Sequence, residues 1–283
     1  MENIEAKCEK KWQTSCDPLP AVFNKSRQTL VIILLAAMSL TTNAQGPSSV
    51  SPSPLKALKN NAGNKKRMMK SKRVLRHAVF FSFKESSTAS DVQGVVDAFA
   101  ALPQKIDSIK DFQAGTNNSP EGLDDGFTHC FLLTFKNDAG RETYLPHPSH
   151  KEFGSTLGPH LKDVFVLDYW GKTSRNEKNR ELKHAVFFKF KDDADPADIT
   201  KVEKAFAALP EKIDAIKAFE WGTNNSPESH DDGFTHCFMV TFDSEEGRAK
   251  YLPHADHLGF VEILKPVLDK VRVLDFWEDG YQK

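Results

Sequence analysis

The stretch Gly126-Phe127-Thr128-His129-Cys130-Phe131-Leu132-Leu133-Thr134-Phe135-Lys136 decides the fold, because it returns 107 residues later as Gly233-Phe234-Thr235-His236-Cys237-Phe238-Met239-Val240-Thr241-Phe242-Asp243. Its aromatic and β-branched residues in near-alternation read as a strand. One face carries Phe127, His129, Phe131, Leu133 and Phe135; the other carries Thr128, Cys130, Leu132 and Thr134. Working outward, residues 75–171 align with residues 182–278 without a gap, and 55 of the 97 paired positions are identical. A unit of this length is a domain rather than a solenoid repeat.

Each copy reads alike. Residues 75–84 (LRHAVFFSFK) form a strand, and residues 91–109 carry Val92, Val95, Val96, Phe99, Leu102, Ile106 and Ile109 at helical spacing. Pro103 kinks or divides that helix. A short strand follows at 112–117, then a turn-rich loop ending in Asp125-Gly126, then the strand quoted above. Residues 139–144 form a short helix, a second helical stretch follows Pro146 up to Leu161, and 164–170 (VFVLDYW) form the last strand. The order β-α-β-β-α-β is that of a ferredoxin-like α+β unit with helices on one face of a four-stranded antiparallel sheet. Phe80 and Phe81 make the opening strand apolar on both sides. The helices cover one face only, so the other needs a partner. The other copy, tethered by the polar segment 173–181, is the simplest one. The two repeats (74–172 and 182–280) are therefore expected to pair sheet to sheet into one intramolecular dimeric α/β barrel.

Composition sets the outer bounds. The chain has 283 residues, 39% hydrophobic and 27% charged, which excludes disorder, a collagen-like chain and a multi-span membrane protein. The formal net charge of −1 gives no global basic field, so no nucleic-acid partner is expected. Four Cys are too few for a disulfide framework, and Cys130 and Cys237 read as buried free thiols. The apolar run 30–40, behind Lys25 and Arg27 and ahead of Thr42-Asn43-Ala44, reads as a signal-peptide core within residues 1–44, with cleavage after Ala44. Secretion or delivery to the periplasm is the expectation, with no integral membrane segment after cleavage. Residues 45–73, rich in Pro, Ser, Asn and Lys, read as a disordered basic linker.

These residues are similar to a known family. The opening strands LRHAVFFSFK and LKHAVFFKFK, the GFTHC strand, the Tyr-Leu-Pro-His-x-x-His motif and the closing Asp-Tyr-Trp or Asp-Phe-Trp resemble the stress-responsive A/B barrel, or Dabb, family of dimeric α/β barrels. The resemblance implies pairing through the sheets, here within one chain acting as a pseudo-dimer, with further assembly left open. It also implies an association with stress response. Plant polyketide cyclases of this fold use a His with a nearby Tyr, which by similarity points to His150 and His257 as bases and to Tyr144 and Tyr251 as their partners.

The residues themselves give a compatible chemistry. A His near neutrality takes a proton from an acidic carbon or phenol, and a Tyr hydroxyl donates to a developing oxyanion. If the faces carrying His77 and His129 look toward the helices, both imidazoles sit at one end of an apolar cleft. His147 and His150 lie three apart on the helix segment above. His184, His236 and His254 repeat His77, His129 and His147, and these six are the expected ligand-pocket residues. His77 and His184 also read as core histidines held by backbone or Asp. No Cys/His spacing of a structural zinc site is present, and neither metal nor cofactor is expected. The loop Asn117-Asn118-Ser119-Pro120-Glu121 through Asp124-Asp125-Gly126 reads as turn chemistry. Three functions compete: a barrel binding a small apolar or aromatic ligand, a cofactor-independent lyase or small oxygenase, and a structural oligomerising module. An open cleft reached by Tyr144 and His150 favours the first two, and a cleft filled by side chains favours the third.

Overall fold

The computed structural model describes residues 73–172 and 180–280; the leader and basic-linker readings lie outside the described residues. In the first repeat β1 (Arg73–Phe83) is followed by α1 (Ala89–Ala100), α2 (Leu102–Lys105), β2 (Ile109–Thr116), β3 (His129–Phe135), α3 (Asp138–Tyr144), α4 (Pro148–Leu157) and β4 (Leu161–Lys172). The second repeat gives β5 (Leu182–Phe190), α5 (Pro196–Ala207), a 3-10 turn (Leu209–Glu211), β6 (Ala218–Thr223), β7 (His236–Phe242), α6 (Glu245–Tyr251), α7 (Ala255–Leu264), β8 (Leu268–Trp277) and β9 (Asp279–Gly280). Pro103 and Pro210 do divide the long helical stretch, each sitting in the first turn of a new short helix. Thr88 caps α1 with a capping box to Asp91, and Asp195 caps α5.

The strands form two antiparallel sheets, ordered β4-β1-β3-β2-β9 and β6-β7-β5-β8. One face of each sheet packs on its own helices. In the first repeat that layer joins Leu75, Val79, Phe81, Phe131 and Leu133 to Val95, Phe99 and Phe153, with Phe99 and Phe153 stacked at 4.4 Å. The opposite faces meet each other. Ala78, Phe80, Cys130, Leu132, Phe165 and Leu167 pack against Ala185, Phe187, Cys237, Met239, Leu274 and Phe276 in one apolar layer. Both thiols are free and buried there. Phe127 departs from its expected face: β3 begins only at His129, and Phe127 turns into the layer between the sheets.

Equivalent positions meet across this layer. Phe80 packs on Phe187 at 5.2 Å, and the Phe165 ring lies 4.3 Å from the Arg272 guanidinium. Arg272 also covers Phe127 and Phe234 and pairs with Asp125 and Asp232. Each large ring buried here contributes about 1.5–3 kcal/mol.

The sheets remain two, so the expected barrel is not closed by a continuous hydrogen-bond ladder. The physical reason lies at their edges. The outward groups of β4 are taken by the second repeat's loop: Val166 N–H donates to His230 O, Asp168 N–H to Asn224 Oδ1, and Asp168 O accepts from Asn225 N–H. The outward groups of β8 are taken by the first repeat's loop, through Leu123 O, Asn117 Oδ1 and Asn118 N–H. An edge already paired to a loop cannot also pair to a strand. Gly115 sits where β2 passes the end of β8, and a Cβ there would strike the Trp277 carbonyl oxygen.

A buried polar cluster also spans the repeats. Glu220 accepts from Arg76 Nε at 2.9 Å, from Tyr169 OH at 2.9 Å and from Lys172 N–H at 2.9 Å. Truncating one partner strands the rest in a low-dielectric layer. Glu220→Ala is therefore expected to lower the unfolding free energy by about 3–5 kcal/mol in urea denaturation. The triple change Arg76→Met, Tyr169→Phe, Glu220→Leu is expected to recover most of that loss; equal destabilisation by both variants would refute the account.

Candidate functional site

Each repeat builds one polar centre on the helix side of its sheet. In the first, β1 and β4 pair His77 with Asp168 in register, and the His77 Nδ1–H donates to Asp168 Oδ1 at 2.6 Å. Helix α3 places Arg141 and Tyr144 three residues apart on its buried side. Arg141 Nη1 donates to Asp168 Oδ2 at 2.6 Å, and to the carbonyl and side-chain oxygens of Asn225 from the other repeat. The Tyr144 ring meets the His77 ring edge-on at 5.6 Å and the His150 ring at 4.2 Å. The second repeat reproduces this with His184–Asp275, Arg248–Asp275, Tyr251 and His257.

The structure thus brings His77, Tyr144 and His150 together, and likewise His184, Tyr251 and His257. It does not bring His129 or His236 to them. The pairing His77↔Leu133 and Phe81↔His129 sets these imidazoles four residues apart along the strands, about 13 Å. They share a face but not an end, which corrects the expectation. His129 packs edge-on to Phe83 at 5.0 Å, and His236 Nε2 pairs with Glu203 at 3.1 Å. His147 and His254 are N-caps: their Nδ1 atoms accept from Ser149 N–H and Asp256 N–H at 3.2 Å each.

Sequence reading missed the residues that hold the centre. Arg141 and Arg248 lie outside the motifs that drew attention, and Asp168 and Asp275, though they open the closing Asp-Tyr-Trp and Asp-Phe-Trp motifs, were given no role at the centre. The loops were read as turn chemistry, and they do make it: Asn117 bonds Asp124, and Asp125 and Gly126 both take positive φ. They also cross to the other repeat. Glu228 Oε2 comes within 3.7 Å of His77 Nδ1, and Glu121 Oε2 within 3.9 Å of His184 Nδ1. Each centre is thus completed by the opposite repeat. The signal available in the sequence was that the run from Asn117 to Glu121 recurs unchanged at 224–228.

Protonation follows from these neighbours. Burial works against a charged His77, but the Asp168 carboxylate, its hydrogen bond and Glu228 outweigh burial and the opposing Arg141, holding the imidazole above its ordinary value. His184 follows the same balance with Asp275, Glu121 and Arg248. Burial lowers His150 and His257, against the hydrogen bonds each makes to the carbonyl of Leu145 or Leu252. A carbonyl only accepts, so Nδ1 of each carries the proton and Nε2 keeps a lone pair when the ring is neutral. Burial pushes the Tyr144 and Tyr251 phenols up, so both remain neutral donors near pH 7. Neither hydroxyl has a hydrogen-bond partner among the described residues, although both side chains are fully buried.

The raised value of His77 contributes stability present below about pH 6.5 and lost as pH rises through its folded value. NMR titration of the imidazoles is expected to place His77 and His184 above that pH and His150 and His257 below it. Asp168→Asn is expected to bring His77 down while leaving His184 in place; an unmoved His77 would contradict the assigned pairing.

Residues 75–171 and 182–278 each match the Stress responsive A/B Barrel Domain family. A stress-response A/B barrel domain-containing protein of Arabidopsis thaliana, HS1, is 39% identical over 100 residues, 35% of this chain and 92% of the relative. Olivetolic acid cyclase of Cannabis sativa is 30% identical over 95 residues, 34% of this chain and 94% of the relative. Among solved structures, an anthrone oxidase-like protein aligns over 74% of this chain and 94% of its own at 10% identity with a TM-score of 0.54, a likeness of fold alone that takes in both repeats. Two copies of the domain, each with its own helices and each facing the other through its sheet, make this chain a member of the stress-responsive A/B barrel family.

Proposed function

We propose that the two centres bind a small, largely apolar or aromatic ligand carrying a carbonyl or phenolic oxygen. The supporting observation is the fully buried Tyr hydroxyl without a partner, present at the same place in both repeats. Such a group costs about 1–3 kcal/mol when left unsatisfied. A ligand oxygen accepting from Tyr144 removes that cost, and a ligand hydroxyl donates to Nε2 of His150. The His150 imidazole beside it is only half-buried. The leader-like residues 1–44 add to this reading a protein that acts after export, outside the cytoplasm.

Catalysis is the second reading, favoured by the His150 tautomer. A neutral Nε2 lone pair beside a neutral phenol suits proton abstraction next to a carbonyl, with Tyr144 donating to the oxyanion that forms. The cyclase relative supports it. The packed Phe81, Phe99, Phe131 and Phe153 layer supports instead a barrel whose role is assembly.

Calorimetric titration with olivetolic acid tests the binding reading. Tyr144→Phe with Tyr251→Phe is expected to weaken binding about tenfold or more, while raising the unfolding free energy by about 1 kcal/mol per copy. Unchanged affinity in that variant, or no binding by the parent, would overturn it.

A further inference from the structure

The two repeats differ at the end of the sheet away from Tyr144, and the difference leaves a cleft in one of them. In the first repeat a cleft of about 150 Å³ opens between α1 and the β2–β3 pair, walled by Val96, Ala114, Gly115, His129 and Phe131, with Gln93 at its mouth. In the second repeat the positions of Ala114 and Val96 are held by Trp221 and Glu203. The Trp221 indole lies nearly parallel to Phe238, at 5.4 Å and 13°, and to His236, at 6.4 Å and 13°. Glu203 takes the His236 Nε2 proton in a hydrogen bond at 3.1 Å. The second repeat therefore plugs with its own side chains what the first leaves open.

We propose that the His129 cleft is a binding site, unique to the first repeat, for a planar aromatic ring bearing one hydrogen-bonding group. Trp221 defines the occupant: a flat ring laid along the β7 aromatics, where the equivalent β3 residues are Phe131 and His129. A cavity of about 150 Å³ is known to hold one benzene-sized ring, and the open mouth lets a larger molecule extend past Gln93. His129 Nδ1 is engaged by Thr128 Oγ1 at 2.9 Å, and Nε2 has no partner among the described residues. With valine where Glu203 stands, the hydrogen bond made internally in the second repeat is left for the ligand. Burial lowers His129, so it meets the ligand as a neutral imidazole. Phe131 is 1% exposed and forms the floor of the cleft, so the ring is gripped by the half-buried side chains of Val96 and His129. The site does not depend on the Tyr144 and Tyr251 centres.

Indole is the probe, read on the full chain by the side-chain NMR signals of His129 and His236. Saturable shifts are expected at His129 and not at His236, with one molecule bound. Ala114→Trp, built in the image of the second repeat, is expected to weaken binding at least about tenfold, near 1.4 kcal/mol. Val96→Glu is expected to do the same by occupying Nε2, and serves if the tryptophan variant does not fold. Trp221→Ala with Glu203→Val is expected to add a second site at His236. No saturable shift at His129, or equal affinity in Ala114→Trp and Val96→Glu, overturns the proposal. Tyr144→Phe with Tyr251→Phe is expected to leave indole binding unchanged, so this site and the tyrosine centres stand or fall separately.

Discussion

Each sheet of this protein is apolar on both faces, and each repeat brings helices for only one of them. Phe80 and Phe81 are adjacent in the chain, point opposite ways, and are 1% and 2% exposed. No isolated repeat could bury both without leaving a broad apolar surface wet. The layer between the sheets is therefore the condition on which the rest depends. It sets the facing of the repeats, brings each loop over the other repeat's edge strand, and so delivers Glu121 and Glu228 to centres built by the opposite half. The polar chemistry is downstream of a hydrophobic constraint.

Much of the architecture was legible because it rests on local rules. Alternation gave the strands, Pro103 gave the helix break, and the two apolar faces gave the partner. What failed did so for identifiable reasons. Periodicity assigns a residue to a face but not to a height along the strand, and only the β1–β3 register parted His129 from His77. Turn chemistry explains Asn117, Asp124, Asp125 and Gly126 from their own neighbours, so nothing drew attention to Asn118 or Glu121, which reach the other repeat. The His147 and His254 caps were hidden because an imidazole accepting from a backbone N–H looks, in sequence, like any other motif histidine. Arg141 was invisible for the plainer reason that a charged residue is expected at the surface, and this one is buried by its pairing with Asp168.

Duplication also freed the halves to diverge. Histidine, tyrosine and aspartate are kept at both centres, while Ala114 against Trp221 and Val96 against Glu203 separate the far ends. Arg76 with Glu220 has no mirror image: the matching positions hold Lys183 and Gln113. An interface between identical subunits must satisfy its own reflection; one within a single chain need not.

Arg272 shows what that freedom forbids. It rests against Phe165, the residue that occupies its own position in the first repeat. Were two second repeats from different molecules to associate as twins, two guanidinium groups would converge on one aromatic layer with a single Phe234 ring apiece to shelter them. Arg272 thus weighs against a pairing of two second repeats and suits the unlike pairing found within one chain.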